Sequence, residues 1–178
     1  MRYFLGLDLD GKQKLAIQAW RDKTLPHFSH PVPVSNFHVT SVFLGQVQEN
    51  QLDEICQAID GTEINPFSLH FNAVGYWSKP KILFLGCEHT PAIVRELTDR
   101  LENIARTARI VVPERKYIPH ITLVRKCPEY APAPLLPPDF ECGFSALHLF
   151  ESVSGKHGVH YPIRHSWPFN TFRKPETR

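Results

Sequence analysis

Two stretches of this chain set a histidine and a threonine two residues apart in otherwise apolar runs. They are Phe37-His38-Val39-Thr40-Ser41-Val42-Phe43-Leu44-Gly45 and Pro119-His120-Ile121-Thr122-Leu123-Val124-Arg125. Side chains at i and i+2 share one face of a strand, so each stretch predicts a strand with His and Thr side by side and aliphatic residues turned the other way. Such a pair either meets water or serves a site. One copy alone favours water, because short motifs recur by chance. The surroundings change the balance, since both copies follow a helical segment and a proline-containing connection. A unit of helix, proline connection and His-x-Thr strand, used twice, points to two similar α+β lobes whose imidazoles face each other across a cleft.

The rest of the chain fills in around these units. Residues 3–8 predict a buried strand, and Asp10 is placed to cap a helix to about Lys23, with Leu15, Ala16, Ala19 and Trp20 inward. Residues 50–59 put Leu52, Ile55, Cys56 and Ile59 on one helix face. Phe67, Leu69 and Phe71 alternate with Ser68, His70 and Asn72; with a turn at Ser78-Lys79-Pro80 and a strand over 82–87 they predict a hairpin. Thr90 and Pro91 are suited to N-cap and N1 of a helix lined by Ile93, Leu97, Leu101 and Ile104. Residues 128–138 read as an irregular surface connection, 140–150 as one long alternating strand, 152–155 as a turn into 158–163, and 173–178 as a polar tail.

At 178 residues the chain predicts a single domain, 1–178, with two pseudo-symmetric lobes. A net charge of +2 argues against a general nucleic-acid coat but permits a local basic patch. Arg106, Arg109, Arg115, Lys116, Arg125 and Lys126 form one around the second motif, opposed only by Glu114. Cys56, Cys87, Cys127 and Cys142 lack any Cys-x-x-Cys spacing, which suggests neither a zinc site nor a disulfide framework. Acidic residues arrive before a signal-peptide core forms, and no apolar run reaches bilayer length. The expectation is a cytoplasmic monomer with no membrane partner.

Two imidazoles across a cleft suit general acid-base chemistry, because each titrates near neutrality and serves as base in one state and acid in the other. Phosphodiester cleavage needs both roles, while threonine hydroxyls donate to phosphate oxygens and a nearby cation balances charge; the scheme requires no metal. His38-Val39-Thr40-Ser41 and His120-Ile121-Thr122-Leu123 resemble the paired motifs of the two-histidine (2H) phosphoesterase superfamily. Phe43-Leu44-Gly45, Pro119, Arg125, the opening Phe4-Leu5-Gly6-Leu7-Asp8-Leu9 and Ile82-Leu83-Phe84-Leu85-Gly86 resemble its RNA 2′,3′-cyclic phosphodiesterase, or 2′-5′ RNA ligase, branch.

The resemblance implies a bilobal, duplicated α+β fold, with two mainly antiparallel sheets facing a central cleft and helices outside. It implies hydrolysis of a 2′,3′-cyclic phosphate to a 2′-phosphate without metal or other cofactor, and the reverse 2′-5′ joining. By similarity His38 is the proton donor, His120 the proton acceptor, and Thr40, Thr122 and Arg125 bind substrate. The implied partners are RNA with 2′,3′-cyclic phosphate ends or small cyclic nucleotides. Action on another small cyclic phosphate, and non-catalytic recognition of RNA ends, remain the alternatives. Ser41 stands where this branch carries leucine, a packing change on the face away from His38. Strict alternation puts Arg125 on the face opposite His120, so it reaches the phosphate only if the strand bends, bulges or ends first.

The other histidines have bland readings: His27 and His30 in loops, His70 and His148 toward cleft or solvent, and His157, His160 and His165 too poorly phased for a metal site. Tyr76, Trp77, Tyr161 and Trp167 are core or rim aromatics, any of which could stack on a base.

Overall fold

Apolar alternation becomes strand and 3.6-residue periodicity becomes helix across the computed structural model, which describes residues 1–171. The predicted polar tail at 173–178 lies outside the described residues. In chain order the elements are β1 (Arg2–Asp8), α1 (Gly11–Thr24), β2 (His38–Gln46), α2 (Glu49–Asp60), β3 (Phe67–Phe71), β4 (Ala73–Trp77), β5 (Ile82–Gly86), α3 (Ala92–Thr107), β6 (His120–Val124), β7 (Phe140–Phe144), β8 (Ala146–Gly155), β9 (Gly158–His160) and β10 (Ile163–Pro168). The fold is α+β with antiparallel sheets. One sheet has the order β10-β8-β1-β2 with β9 on β8, a second is β4-β5-β6, and β3 pairs with β7 alone.

Local signals placed most elements, and the departures have identifiable causes. Asp10 caps α1 as expected, its Oδ1 accepting from the Gln13 N–H at 2.7 Å. The buried face of α1, however, is Ile17, Trp20, Arg21 and Thr24, while Leu15 is 59% exposed. An arginine and a threonine on the inner face hide the helix phase from an apolar-stripe search. The cap of α3 is Pro91 with no side-chain bond, so Thr90 does not cap it; its buried face is Val94, Leu97, Thr98, Leu101 and Ala105.

The predicted hairpin is displaced. β3 pairs with β7, and the hairpin partner of β5 is β4, in register from Ala73↔Gly86 to Trp77↔Ile82. The chain changes sheets at Asn72, whose side-chain oxygen accepts from the Glu88 N–H. Likewise the long strand over 140–150 is two strands in different sheets, parted at Ser145, whose carbonyl accepts from Phe169 N–H at 2.7 Å. Alternation of period two continues through such a switch, so the sequence pattern does not reveal it.

The two His-x-Thr strands are joined by a seam rather than by one continuous sheet. The proline connection runs along β6: Val32 N–H donates to Leu123 C=O at 2.9 Å, and Arg125 N–H to His30 C=O at 3.0 Å, with Pro31 opposite Val124. Arg21, only 6% exposed, reaches this seam from α1 and donates to the carbonyls of Val32 at 2.7 Å and Leu123 at 3.0 Å. Its guanidinium lies over the Phe37 ring, one residue before His38. Hydrogen bonds to a charged group contribute about 1.5–3 kcal/mol each, and orphaned buried carbonyls cost similar amounts. Arg21→Met should therefore destabilise the protein by about 3 kcal/mol in urea unfolding, whereas Arg106→Met, which breaks an exposed pair with Glu102, should change stability by less than about 1 kcal/mol.

Candidate active site

Both His-x-Thr strands depart from ideal alternation at the same offset. In β2, Thr40 pairs with Gly6 and Val42 with Leu5, leaving Ser41 without a partner. In β6, Thr122 pairs with Phe84 and Val124 with Leu83, leaving Leu123 without one. A bulge of this kind adds one residue and resets which face the following side chains occupy. The residue five positions after each histidine is thereby returned to the histidine's face: Phe43 in the first copy and Arg125 in the second. β6 also ends at Val124, so Arg125 is free of the ladder with β5. The condition for Arg125 to join His120 and Thr122 is thus met. Its guanidinium charge acts on both His38 and His120.

The two imidazoles are oriented in the same way. His38 Nδ1 lies 2.8 Å from the Asn36 carbonyl, and His120 Nδ1 lies 2.8 Å from the Ile118 carbonyl. A carbonyl only accepts, so each Nδ1 carries a proton and each Nε2 is the exchangeable atom in the neutral ring. His38 Nε2 is 3.0 Å from Thr40 Oγ1 and accepts its hydroxyl proton when the ring is neutral. β2 packs against β6, so the pairs belong to one site.

Aromatic rings form the walls. His38 is flanked by Phe4 at 4.8 Å, Tyr161 at 4.9 Å and Phe150 at 5.9 Å, and His120 by Trp77 at 4.7 Å and Phe84 at 5.5 Å. Phe84 fits because residue 75 is glycine: a Cβ there would lie 2.2 Å from its ring. Tyr161 also accepts a hydrogen bond from Arg125 Nη2 at 3.5 Å. Two of the aromatics singled out in the sequence, Trp77 and Tyr161, therefore line the site. Tyr76 instead donates to the Cys127 carbonyl, and Trp167 is core. Phe4, Phe84 and Asn36 were not singled out, although Phe-Leu-Gly recurs at 4–6 and 84–86 on the strands that neighbour the two motifs.

Burial among these rings disfavours the imidazolium. It is the main reason that His38 is lowered to about 4, with Arg125 and His120 adding repulsion against the raising effects of the Asn36 carbonyl and Asp8. His120 is lowered for the same first reason, with Arg115 and Arg125 adding to it against the Ile118 carbonyl. Of the six cations grouped in the sequence, Arg115 and Arg125 act at the site, while Arg106 pairs with Glu102 on α3. Ser41 is buried with its hydroxyl against that of Tyr117, whose own proton goes to the Thr40 carbonyl at 2.9 Å. Among the described residues, no group of three or more His, Cys, Asp or Glu is placed to hold a metal ion. No helix there is long and apolar enough to cross a membrane.

Residues 8–84 match the sequence model of the family described as LigT like Phosphoesterase. Over 170 residues the chain is 28% identical to the RNA 2′,3′-cyclic phosphodiesterase of Escherichia coli, covering 93% of this chain and 95% of that protein. The chain is similar to the LigT-like phosphoesterases. A Bacillus subtilis protein of the same name is also 28% identical, over 70% of each chain. The crystal structure of E. coli LigT in apo form superposes with a TM-score of 0.85 at 25% identity, covering 96% of this chain and 98% of that one. A further structure, of E. coli LigT with 3′-AMP, gives 0.88 at 24% identity over the same shares.

NMR titration of the imidazole resonances should place both His38 and His120 below the free value of about 6.5, His38 near 4. Arg125→Gln should raise both, because one positive charge is removed from each environment.

Proposed function

We propose that the chain is an RNA 2′,3′-cyclic phosphodiesterase that opens the cyclic phosphate to a 2′-phosphate end. The observation that carries this is the pairing of two imidazoles with fixed Nδ1–H groups, each beside a threonine, with Arg125 charged toward both. That set matches what phosphodiester hydrolysis asks of a site: an acid, a base and charge-assisted donors for the phosphate oxygens. The similar E. coli and B. subtilis proteins are RNA 2′,3′-cyclic phosphodiesterases, which supports this reading.

In this mechanism His120 Nε2 takes a proton from the attacking water as its oxygen bonds to phosphorus. The bond from phosphorus to the 3′ oxygen breaks, and His38 Nε2 gives that oxygen a proton. The products are a 3′-hydroxyl and a 2′-phosphate, and each histidine ends in the other's starting protonation state. The contact between His38 and Thr40 adds a useful step. A protonated Nε2 no longer accepts from Thr40 Oγ1, so the threonine proton becomes available to a phosphate oxygen while Arg125 and Thr122 hold the others. Run in the same direction with an RNA 5′-hydroxyl in place of water, the step joins ends through a 2′-5′ linkage: the 5′ oxygen bonds to phosphorus, the bond to the 3′ oxygen breaks, and the reverse of that step re-forms the cyclic phosphate. All roles fall to side chains of this chain, so turnover should persist in excess EDTA. The four free thiols suit a reducing compartment, and we place the enzyme in the cytoplasm.

His38→Ala and His120→Ala should each lower turnover of a nucleoside 2′,3′-cyclic phosphate by about 10²- to 10⁴-fold, with phosphorus NMR of the wild-type product showing only the 2′-phosphate. Full activity in both variants would overturn the mechanism. Comparing a cyclic-ended oligoribonucleotide with small cyclic phosphates tests the substrate class, and tight RNA binding without turnover would favour a recognition module.

The pH dependence follows from the lowered imidazoles. In the free enzyme, activity is lost at low pH as His120 gains a proton and at high pH as His38 loses one. Both limbs of kcat/KM should therefore lie below about pH 6.5. A bound phosphate anion favours both imidazolium forms, so the kcat profile should sit at higher pH than that of kcat/KM.

A further inference from the structure

The two histidines differ in what holds their orienting carbonyl. Ile118, which serves His120, has an apolar side chain with no hydrogen bond to give. Asn36, which serves His38, uses its side-chain amide as well: Nδ2–H donates to the Val159 carbonyl at 2.7 Å, across 123 positions of sequence. Val159 lies in β9, the returning strand of the hairpin that begins in β8. Just beyond β9, the chain delivers Tyr161, whose ring stands edge-on to His38 at 4.9 Å and whose hydroxyl takes the Arg125 hydrogen bond.

We propose that Asn36 is a positioning residue, whose side chain fastens the β8–β9 hairpin to the backbone segment that aims His38, so that the hairpin, Tyr161 and the imidazole are held as one unit.

The hairpin has little else to hold it. Residues 154–160 are all exposed, so no apolar side chain of the tip is packed into the core. A two-stranded ribbon is marginal by itself in water. Against that background a single 2.7 Å amide bond at its returning strand carries weight. The other side of the Asn36 segment is braced too: Lys14 Nζ pairs with Asp8 at 2.9 Å and reaches the Ser35 carbonyl at 3.5 Å. Asp8, Lys14, Asn36, His38, Tyr161 and Ile163 together line a cavity of about 50 Å³ against the imidazole. Asn36 is where the helix side and the hairpin side of that cavity meet. Loss of its amide leaves the carbonyl to His38 in place but frees the hairpin wall, changing aim and enclosure rather than removing a reacting group.

The inference takes its acid role for His38 from the proposed function, so its test needs readouts independent of turnover. In Asn36→Ala, backbone amide exchange over 158–161 should quicken. The His38 titration should move up toward the free imidazole value as enclosure is lost, and that of His120 should stay. With a 2′,3′-cyclic nucleotide, kcat should fall about tenfold with a smaller change in KM, the size expected for misaimed rather than missing groups. Asn36→Gln, which keeps an amide donor, should recover part of each effect. Unchanged exchange and an unchanged His38 titration in Asn36→Ala would overturn the proposal even if activity fell. If wild-type protein failed to turn over the cyclic nucleotide while both NMR effects appeared, the proposed function would fail and the coupling would stand.

Discussion

The structure depends on a seam at which two halves of the chain share a few backbone groups. The Leu123 carbonyl accepts from Val32 N–H and from the buried Arg21 guanidinium, and Arg21 also takes the Val32 carbonyl. A charge in the interior is tolerated only where its donors are used, and here they are spent on carbonyls of two segments that have no sequence proximity. The consequence is positional. The proline connection is clamped along β6 and delivers Phe37 and His38 a few residues later, so the first motif is located relative to the second before any substrate arrives.

Within that frame, each motif is built by the same local device. A bulge directly after the threonine, at Ser41 in one strand and Leu123 in the other, returns the fifth residue past the histidine to the site. The duplication is geometrical and the chemistry is not. In one copy that position holds Arg125, which charges the site; in the other it holds Phe43, which extends the aromatic surface beside Phe4. Each imidazole is aimed by a carbonyl two residues earlier and enclosed by rings from neighbouring strands. Enclosure lowers both imidazoles, and the positive charge of Arg125 adds to that shift at each.

Much of this was legible from residues alone. The paired His-x-Thr runs announced two strands, each with a histidine beside a threonine, because residue type and a period of two are local properties. Asp10 as a cap and the faces of α2 were readable on the same grounds. The failures share one cause. β3 pairing with β7, the break at Ser145, and the inward face of α1 with its arginine each depend on a partner distant in sequence, and local periodicity is silent about partners.

Arg125 marks the boundary most sharply. Sequence by itself determined which groups are present: two imidazoles, two hydroxyls and a guanidinium at a repeated offset, in strands that alternate. It could not place Arg125 on either face, because one unpaired residue in β6 reverses that assignment and pairing is settled against β5, some forty positions away. Tertiary structure alone decided that Leu123 is the unpaired residue, that Phe84 and Trp77 enclose His120, and that Asn36 meets a hairpin 123 positions downstream. The physical reason is that hydrogen-bond pairing and burial are properties of contacts, and the contacts that make this site are long-range.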